Sequence, residues 1–165
     1  MALAQKAQTA GVEGIALRQD PKAEEGLNKE TLQKILLCKE TTIQDRVKTG
    51  SNCVSTALFI TGEIDKDKYV NPRTVYSSVL KKLQKIESPR LGCIVAWTFD
   101  LGSSIYVEHM AVVTATVPHT LVTHRKALVG SLVENQPIEV VGLPAKLNYC
   151  KEEYFLPKNI KSIIR

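Results

Sequence analysis

Ile105-Tyr106-Val107-Glu108-His109-Met110-Ala111-Val112-Val113-Thr114-Ala115-Thr116, a turn at Pro118-His119, then Leu121-Val122-Thr123-His124-Arg125: this stretch reads as two β-strands. Branched and aromatic residues favour extended backbone, and the proline breaks the run. Upstream, Cys93-Ile94-Val95-Ala96-Trp97-Thr98-Phe99 is a third strand, separated by a loop over Asp100–Ser104. Downstream, Leu132-Val133 and Ile138 to Val141 read as further short strands. Such close spacing favours antiparallel hairpins. The first half of the chain is helical instead. Leu32, Ile35 and Leu36 share one face of a helix starting near Lys29, and Ile43 and Val47 mark a second short turn. Asn71-Pro72 reads as a cap and first helical position, with Val75, Val79, Leu80, Leu83 and Ile86 carrying that helix to Ser88-Pro89. Helices followed by strands predict an α+β fold, N-terminal helices packed on an antiparallel sheet.

A length of 165 residues with 44% hydrophobic content suits one domain with a sizeable core. Residues 1–28 read as a polar arm, punctuated by Gly11, Gly14, Pro21 and Gly26, and 29–165 as a single domain. The net charge of +5 is spread out, and Lys81, Lys82 and Lys85 fall together on the predicted 71–88 helix. Aromatics are not interleaved with basic residues, so no nucleic-acid partner is expected. No apolar run approaches the ~18 residues of a membrane span, so no membrane partner is expected either. Met1–Gln8 lacks the apolar core of a secretory leader, which makes the cytoplasm the default location. The four cysteines, at 38, 53, 93 and 150, stand singly and read as reduced thiols. With the histidines they show no zinc-type pairing, so no metal or other cofactor is expected. The sequence is silent on oligomeric state.

The candidate chemistry starts at Gly50-Ser51-Asn52-Cys53-Val54-Ser55-Thr56-Ala57-Leu58-Phe59-Ile60-Thr61-Gly62. Ser51 or Asn52 can cap a helix, which sets Cys53 in its first turn. Val54, Ala57, Leu58 and Thr61 follow at helical spacing, and Gly62 stops the helix. Free N–H groups and the helix dipole at such an end favour a thiolate, the nucleophilic form of cysteine. A small buried core residue is the plain alternative. With a period of two, Val107, His109 and Ala111 share one face of their strand, so His109 can point at the cysteine helix. If the two strands pair across Pro118, His124 joins it. A core histidine and a solvent-facing one are the respective alternatives. Thiol, imidazole and a polar group that orients the imidazole form the minimal set for cysteine-based acyl transfer. Glu134 and Asn135 also qualify as orienting groups but read as a turn before Pro137, and Glu108 points the opposite way. Cys38, Cys93 and Cys150 read as small apolar residues.

The order Cys53, His109, His124 resembles the NlpC-type family of papain-fold cysteine peptidases. Asn52-Cys53-Val54-Ser55 resembles its nucleophile motif, and Gly92-Cys93-Ile94-Val95-Ala96-Trp97 the strand before its histidine. His109-Met110-Ala111-Val112-Val113 and Leu121-Val122-Thr123-His124 resemble its histidine strand and third-residue strand. The likeness covers about residues 30 to 142. Asn52 stands where the family usually has Asp, Val54-Ser55 where it has Ser-Gly, and no tyrosine precedes the cysteine. The resemblance implies a papain-like fold and a peptidase or amidase with Cys53 as nucleophile. His109 would be its base and His124 the orienting group. The Cys53 N–H would donate to the oxyanion, with Asn52 or Ser51 as the second donor. It implies a peptide substrate, including a peptidoglycan stem peptide, which a chain without a leader reaches by signal-independent export or lysis. A transglutaminase-like acyltransferase, normally with an acidic third residue, and a non-catalytic binding domain are the alternatives.

Overall fold

The computed structural model describes residues 26–165. Five helices, α1 (Lys29–Glu40), α2 (Ile43–Thr49), α3 (Cys53–Ile60), α4 (Val75–Ser78) and α5 (Ile138–Leu147), accompany one sheet. Its strands are β1 (Gln84–Ile86), β2 (Ile94–Asp100), β3 (Ile105–Ala115), β4 (Leu121–Arg125), β5 (Leu132–Pro137) and β6 (Lys151–Leu156). They lie in the order β1-β6-β2-β3-β4-β5, every pair antiparallel. The fold is α+β, and its strands β2 to β5 follow one another as hairpins.

Helix starts follow from local chemistry. Asn28 accepts a hydrogen bond from the Thr31 N–H at 2.9 Å and opens α1. Asn52 and Ser55 form a reciprocal capping box at the start of α3. The chain leaves α2 through Gly50 at φ +69°, a left-handed conformation that costs glycine little. Residues 26–28, expected in the polar arm, belong to the fold. Leu27 bridges Ile164, and the Arg165 N–H donates to the Gly26 carbonyl. Residues 1–25 of that arm lie outside the described residues.

Three expectations are corrected. The helix predicted over 71–88 is instead one turn (α4), a 3-10 turn at Leu80–Lys82 and strand β1. Val75, Ser77, Ser78 and Val79 form helix weakly, and β6 offers residues 84–86 a ladder of hydrogen bonds. Lys81 and Lys82 therefore sit on the 3-10 turn and Lys85 on β1, where it pairs with Glu153 at 2.7 Å. Residues 138–141, expected as strand, open α5. Ile138, Gly142 and Ala145 are its buried positions, a helical rather than alternating spacing. Strand β6 carries Lys151-Glu152-Glu153, a charged run that hides its alternation, yet it takes the place between β1 and β2. On α1 the buried face is Thr31, Ile35 and Cys38, while Leu32 and Leu36 are exposed.

The sheet has a core on each face. On one, α1, α3 and α4 pack against Ile94, Ala96, Val107, Met110, Val112 and Phe155. Helix α3 is the centre of this side, with six of its eight residues buried, Val54 and Leu58 among them. On the other face α5 covers Cys93, Val95, Trp97, Ala111, Val113 and Val122. The contact at Gly142 is tight: a Cβ there would meet Trp97 Nε1 at 2.6 Å. No helix among the described residues is long and apolar enough to cross a membrane.

Candidate active site

A cavity of about 600 Å³ opens between the start of α3 and the edge of α5. Cys53, His109 and His124 all line it, with Asn52, Gln136 and Tyr106 beside them. The structure thus brings together the three residues that the sequence singled out. Its outer wall is apolar, made by Val140, Val141 and Pro144 of α5 together with Leu128.

The histidines reach the cavity through a β-bulge. Trp97 pairs with His109, but the next residue of β2, Thr98, pairs with Val107, so Glu108 is the extra residue. The alternation expected from sequence breaks there. Val107 faces the α3 core, whereas His109 turns to the opposite face with Ala111 and stacks at 5.7 Å from the Trp97 ring. Glu108 is exposed and joins the cavity lining rather than pointing away from it. Strand β4 pairs with β3 and sets His124 beside His109, with His109 Nε2 and His124 Nδ1 at 2.8 Å. His124 Nε2 in turn lies 2.8 Å from the Gln136 side-chain oxygen.

Cys53 is half-buried in the first turn of α3. The backbone N–H groups of Met110, the residue after His109, and of Val54 and Cys53 itself act on its thiol to lower the pKa. These groups favour the thiolate, but burial outweighs them and pushes the thiol above its ordinary value, with Glu108 adding to the rise. Helix position alone therefore does not produce the acidic thiol expected from sequence. Burial likewise pushes His109 down to about 3, helped by the neighbouring His124, and lowers His124. All three shifts run toward the uncharged forms, a protonated thiol and neutral imidazoles lining one cavity.

The two proposed helpers upstream of Cys53 are engaged elsewhere. Ser51 is buried, and its hydroxyl meets Thr56 Oγ1 at 3.1 Å, away from the cavity. The Asn52 amide is spent on the cap and on the Val70 carbonyl at 2.8 Å, and its backbone N–H on Ser55. Ser51 thus offers the cavity no side-chain donor, whereas Asn52, which lines it, keeps one amide N–H beyond its bond to Val70. Glu134 pairs with Lys39 at 3.1 Å, and Asn135 accepts from the Thr114 hydroxyl at 2.7 Å, so neither touches an imidazole.

Beneath the site runs a polar network that the sequence did not disclose. Arg125, next to His124, is fully buried. It donates to Thr56 Oγ1 at 2.8 Å, to the Gly130 carbonyl at 2.7 Å and to the Cys38 carbonyl at 3.2 Å, and it meets Asp67 at 3.4 Å. Asp67 accepts from the hydroxyls of Ser55 at 2.6 Å and Thr56 at 2.8 Å. One buried cation thus ties α1, α3 and β4 together, fixing the cysteine helix against the histidine strand. Gln136 is the other residue missed. It lies only two residues beyond Glu134, but a strand bulge decides where it points.

All four cysteines are free. Among the described residues no group of three or more His, Cys, Asp and Glu is placed to hold a metal ion. No protein-family model matches the chain, and no curated protein or solved structure is significantly similar to it.

Proposed function

We propose that the protein is a cysteine hydrolase of papain-like, NlpC-type architecture that cleaves an amide bond in a peptide. A peptidoglycan stem peptide is the first substrate class to try. The observation that carries this reading is the 2.8 Å contact between His109 and His124 inside the cavity that Cys53 lines. A thiol at a helix start, an imidazole on the adjoining strand and a second group holding that imidazole are the parts acyl transfer needs. Among the described residues neither imidazole bonds a carboxylate, which favours hydrolysis over the transglutaminase-like alternative.

The mechanism starts from the neutral pair. As Cys53 sulfur bonds to the substrate carbonyl carbon, its proton passes to His109. Negative charge builds on the carbonyl oxygen, and the N–H of Cys53, at the open end of α3, donates to it. The C–N bond then breaks, and the His109 proton goes to the departing amine. Water adds to the thioester, giving one proton to His109. The tetrahedral intermediate collapses, the C–S bond breaks, and that proton returns to sulfur. His124 holds His109 in place throughout.

Incubation with a panel of peptides and peptidoglycan fragments, read by mass spectrometry, tests the proposal. Wild type should release an amine and a carboxylic acid. Cys53→Ala should lose turnover by a factor of at least about 10³ while its circular dichroism stays unchanged. Hydrolysis retained by that variant overturns the assignment. Products joined to an added amine, with no free acid, point to a transferase.

A further inference from the structure

We propose that Gln136 is a positioning residue for the histidine pair: its side-chain oxygen fixes the tautomer of His124 and, through it, that of His109. The base role of His109 rests on the function proposed above; the tautomer assignment stands on hydrogen-bond geometry alone.

A carbonyl oxygen of an amide only accepts, so the His124 nitrogen 2.8 Å from Gln136 Oε1 must carry a proton. That nitrogen is Nε2. A neutral imidazole carries one proton, so Nδ1 of His124 is then bare and can only accept. Its partner at 2.8 Å is His109 Nε2, which must donate. The second proton count closes in the same way: with Nε2 protonated, neutral His109 keeps its lone pair on Nδ1. Each bond thus dictates the next, and the outcome is one basic nitrogen on His109. The opposite orientation of the amide reverses every step. Its NH₂ would donate to His124 Nε2, His124 Nδ1 would donate to His109, and His109 Nδ1 would hold a proton and take none from Cys53.

The backbone around Gln136 is shaped for this contact. His124 pairs with Val133 and Val122 with Gln136, so three steps along β5 match two along β4. The extra residue is absorbed at Asn135, which adopts φ +53°, a left-handed conformation that asparagine tolerates. Two bonds hold the bulge: the Asn135 N–H donates to Thr123 Oγ1 at 3.2 Å, and Asn135 Oδ1 accepts from Thr114 at 2.7 Å. In an unbroken strand, residues 133, 135 and 137 would share the face of His124. The bulge shifts the phase and turns Gln136 onto that face. The amide is also neutral where a carboxylate would stabilise an imidazolium, in keeping with an uncharged resting pair. The other charged groups on this cavity are Glu108 and Lys126, and neither bonds the imidazoles.

The test is long-range ¹H–¹⁵N correlation of the imidazole nitrogens in the ¹⁵N-labelled full chain at pH 7. Both His109 and His124 should show the Nε2–H form. Gln136→Leu should destroy that uniformity, giving mixed or inverted tautomers. It should also slow Cys53 alkylation by iodoacetamide about tenfold. Gln136→Glu, which keeps an acceptor-only oxygen, should restore the wild-type tautomers and raise the pH at which the pair takes up a proton. If Gln136→Leu does not fold, the wild-type and Gln136→Glu spectra decide. A wild-type His109 protonated on Nδ1, or tautomers unchanged in Gln136→Leu, overturns the proposal. Correct tautomers in a protein that hydrolyses no amide would sink the proposed function and leave this inference standing.

Discussion

The two faces of the sheet are built differently, and the difference locates the chemistry. On the α3 face a central helix is buried on nearly all sides, and its few polar groups are knotted into the Arg125–Asp67 network. On the α5 face a single helix covers Trp97 and the histidine pair. Its outer residues Val140, Leu143 and Leu147 are exposed, and a cavity remains at its edge. The first face is a scaffold closed on both sides. The second is a cover that leaves imidazoles buried enough to lose their charge, yet still on an open cavity. Cys53 belongs to the scaffold by its helix and to the cavity by its side chain.

The sharpest way to break this contrast is to remove the buried cation. Arg125→Ala leaves Asp67 and two carbonyls without their partner. Loss of one member of a buried pair costs about 3–5 kcal/mol, read from urea unfolding. A cost below ~1 kcal/mol would mean that the network is not what holds the scaffold face.

The histidine face should differ in its response to acid. His109 is held neutral with its pKa pushed down to about 3, against 6.5 for the ordinary group. Between these values the unfolded chain binds the proton that the folded one refuses. Stability is therefore full above pH 6.5 and falls as the pH drops toward 3. The loss from this group is on the order of 4–5 kcal/mol. His109→Gln should flatten that part of a stability-versus-pH curve. An unchanged slope would remove His109 from the source of acid sensitivity.

Smaller effects test the cover itself. Gly142→Ala pushes a methyl into the Trp97 ring and should cost about 1–3 kcal/mol in thermal unfolding, since overpacking strains both elements. A neutral result would mean that α5 slides freely on the sheet. Leu147→Ser, on the exposed outer side of the same helix, should stay within about 0.5 kcal/mol of wild type. A larger loss would show that this side is covered by something in solution.

Much of this architecture was legible in local patterns. The cap at Asn52 and the stop at Gly62 define α3 through short-range hydrogen bonding, which residue types announce by themselves. Strands β3 and β4 declare themselves through branched residues around one turn. The elements misread are those whose state is decided by distant partners. Residues 84–86 become strand because β6 reaches them from the far end of the chain, and 138–141 become helix because Ile138, Gly142 and Ala145 bury at helical spacing against the Trp97 face of the sheet. The candidate site divides in the same way. Cys53, His109 and His124 were nameable from residue type and order. Which face His109 occupies was not, because the bulge at Glu108 inserts one residue into the count.

The sequence by itself determined the capped cysteine helix, the two histidine-bearing strands and the α+β order, since each depends on neighbours a few residues apart. Only the tertiary structure decided the burial that pushes the Cys53 thiol up and both imidazoles down. It alone also brought Gln136 to His124 and Arg125 to Asp67. Those contacts depend on strand phase and on side chains far apart in the chain, and no local pattern encodes either.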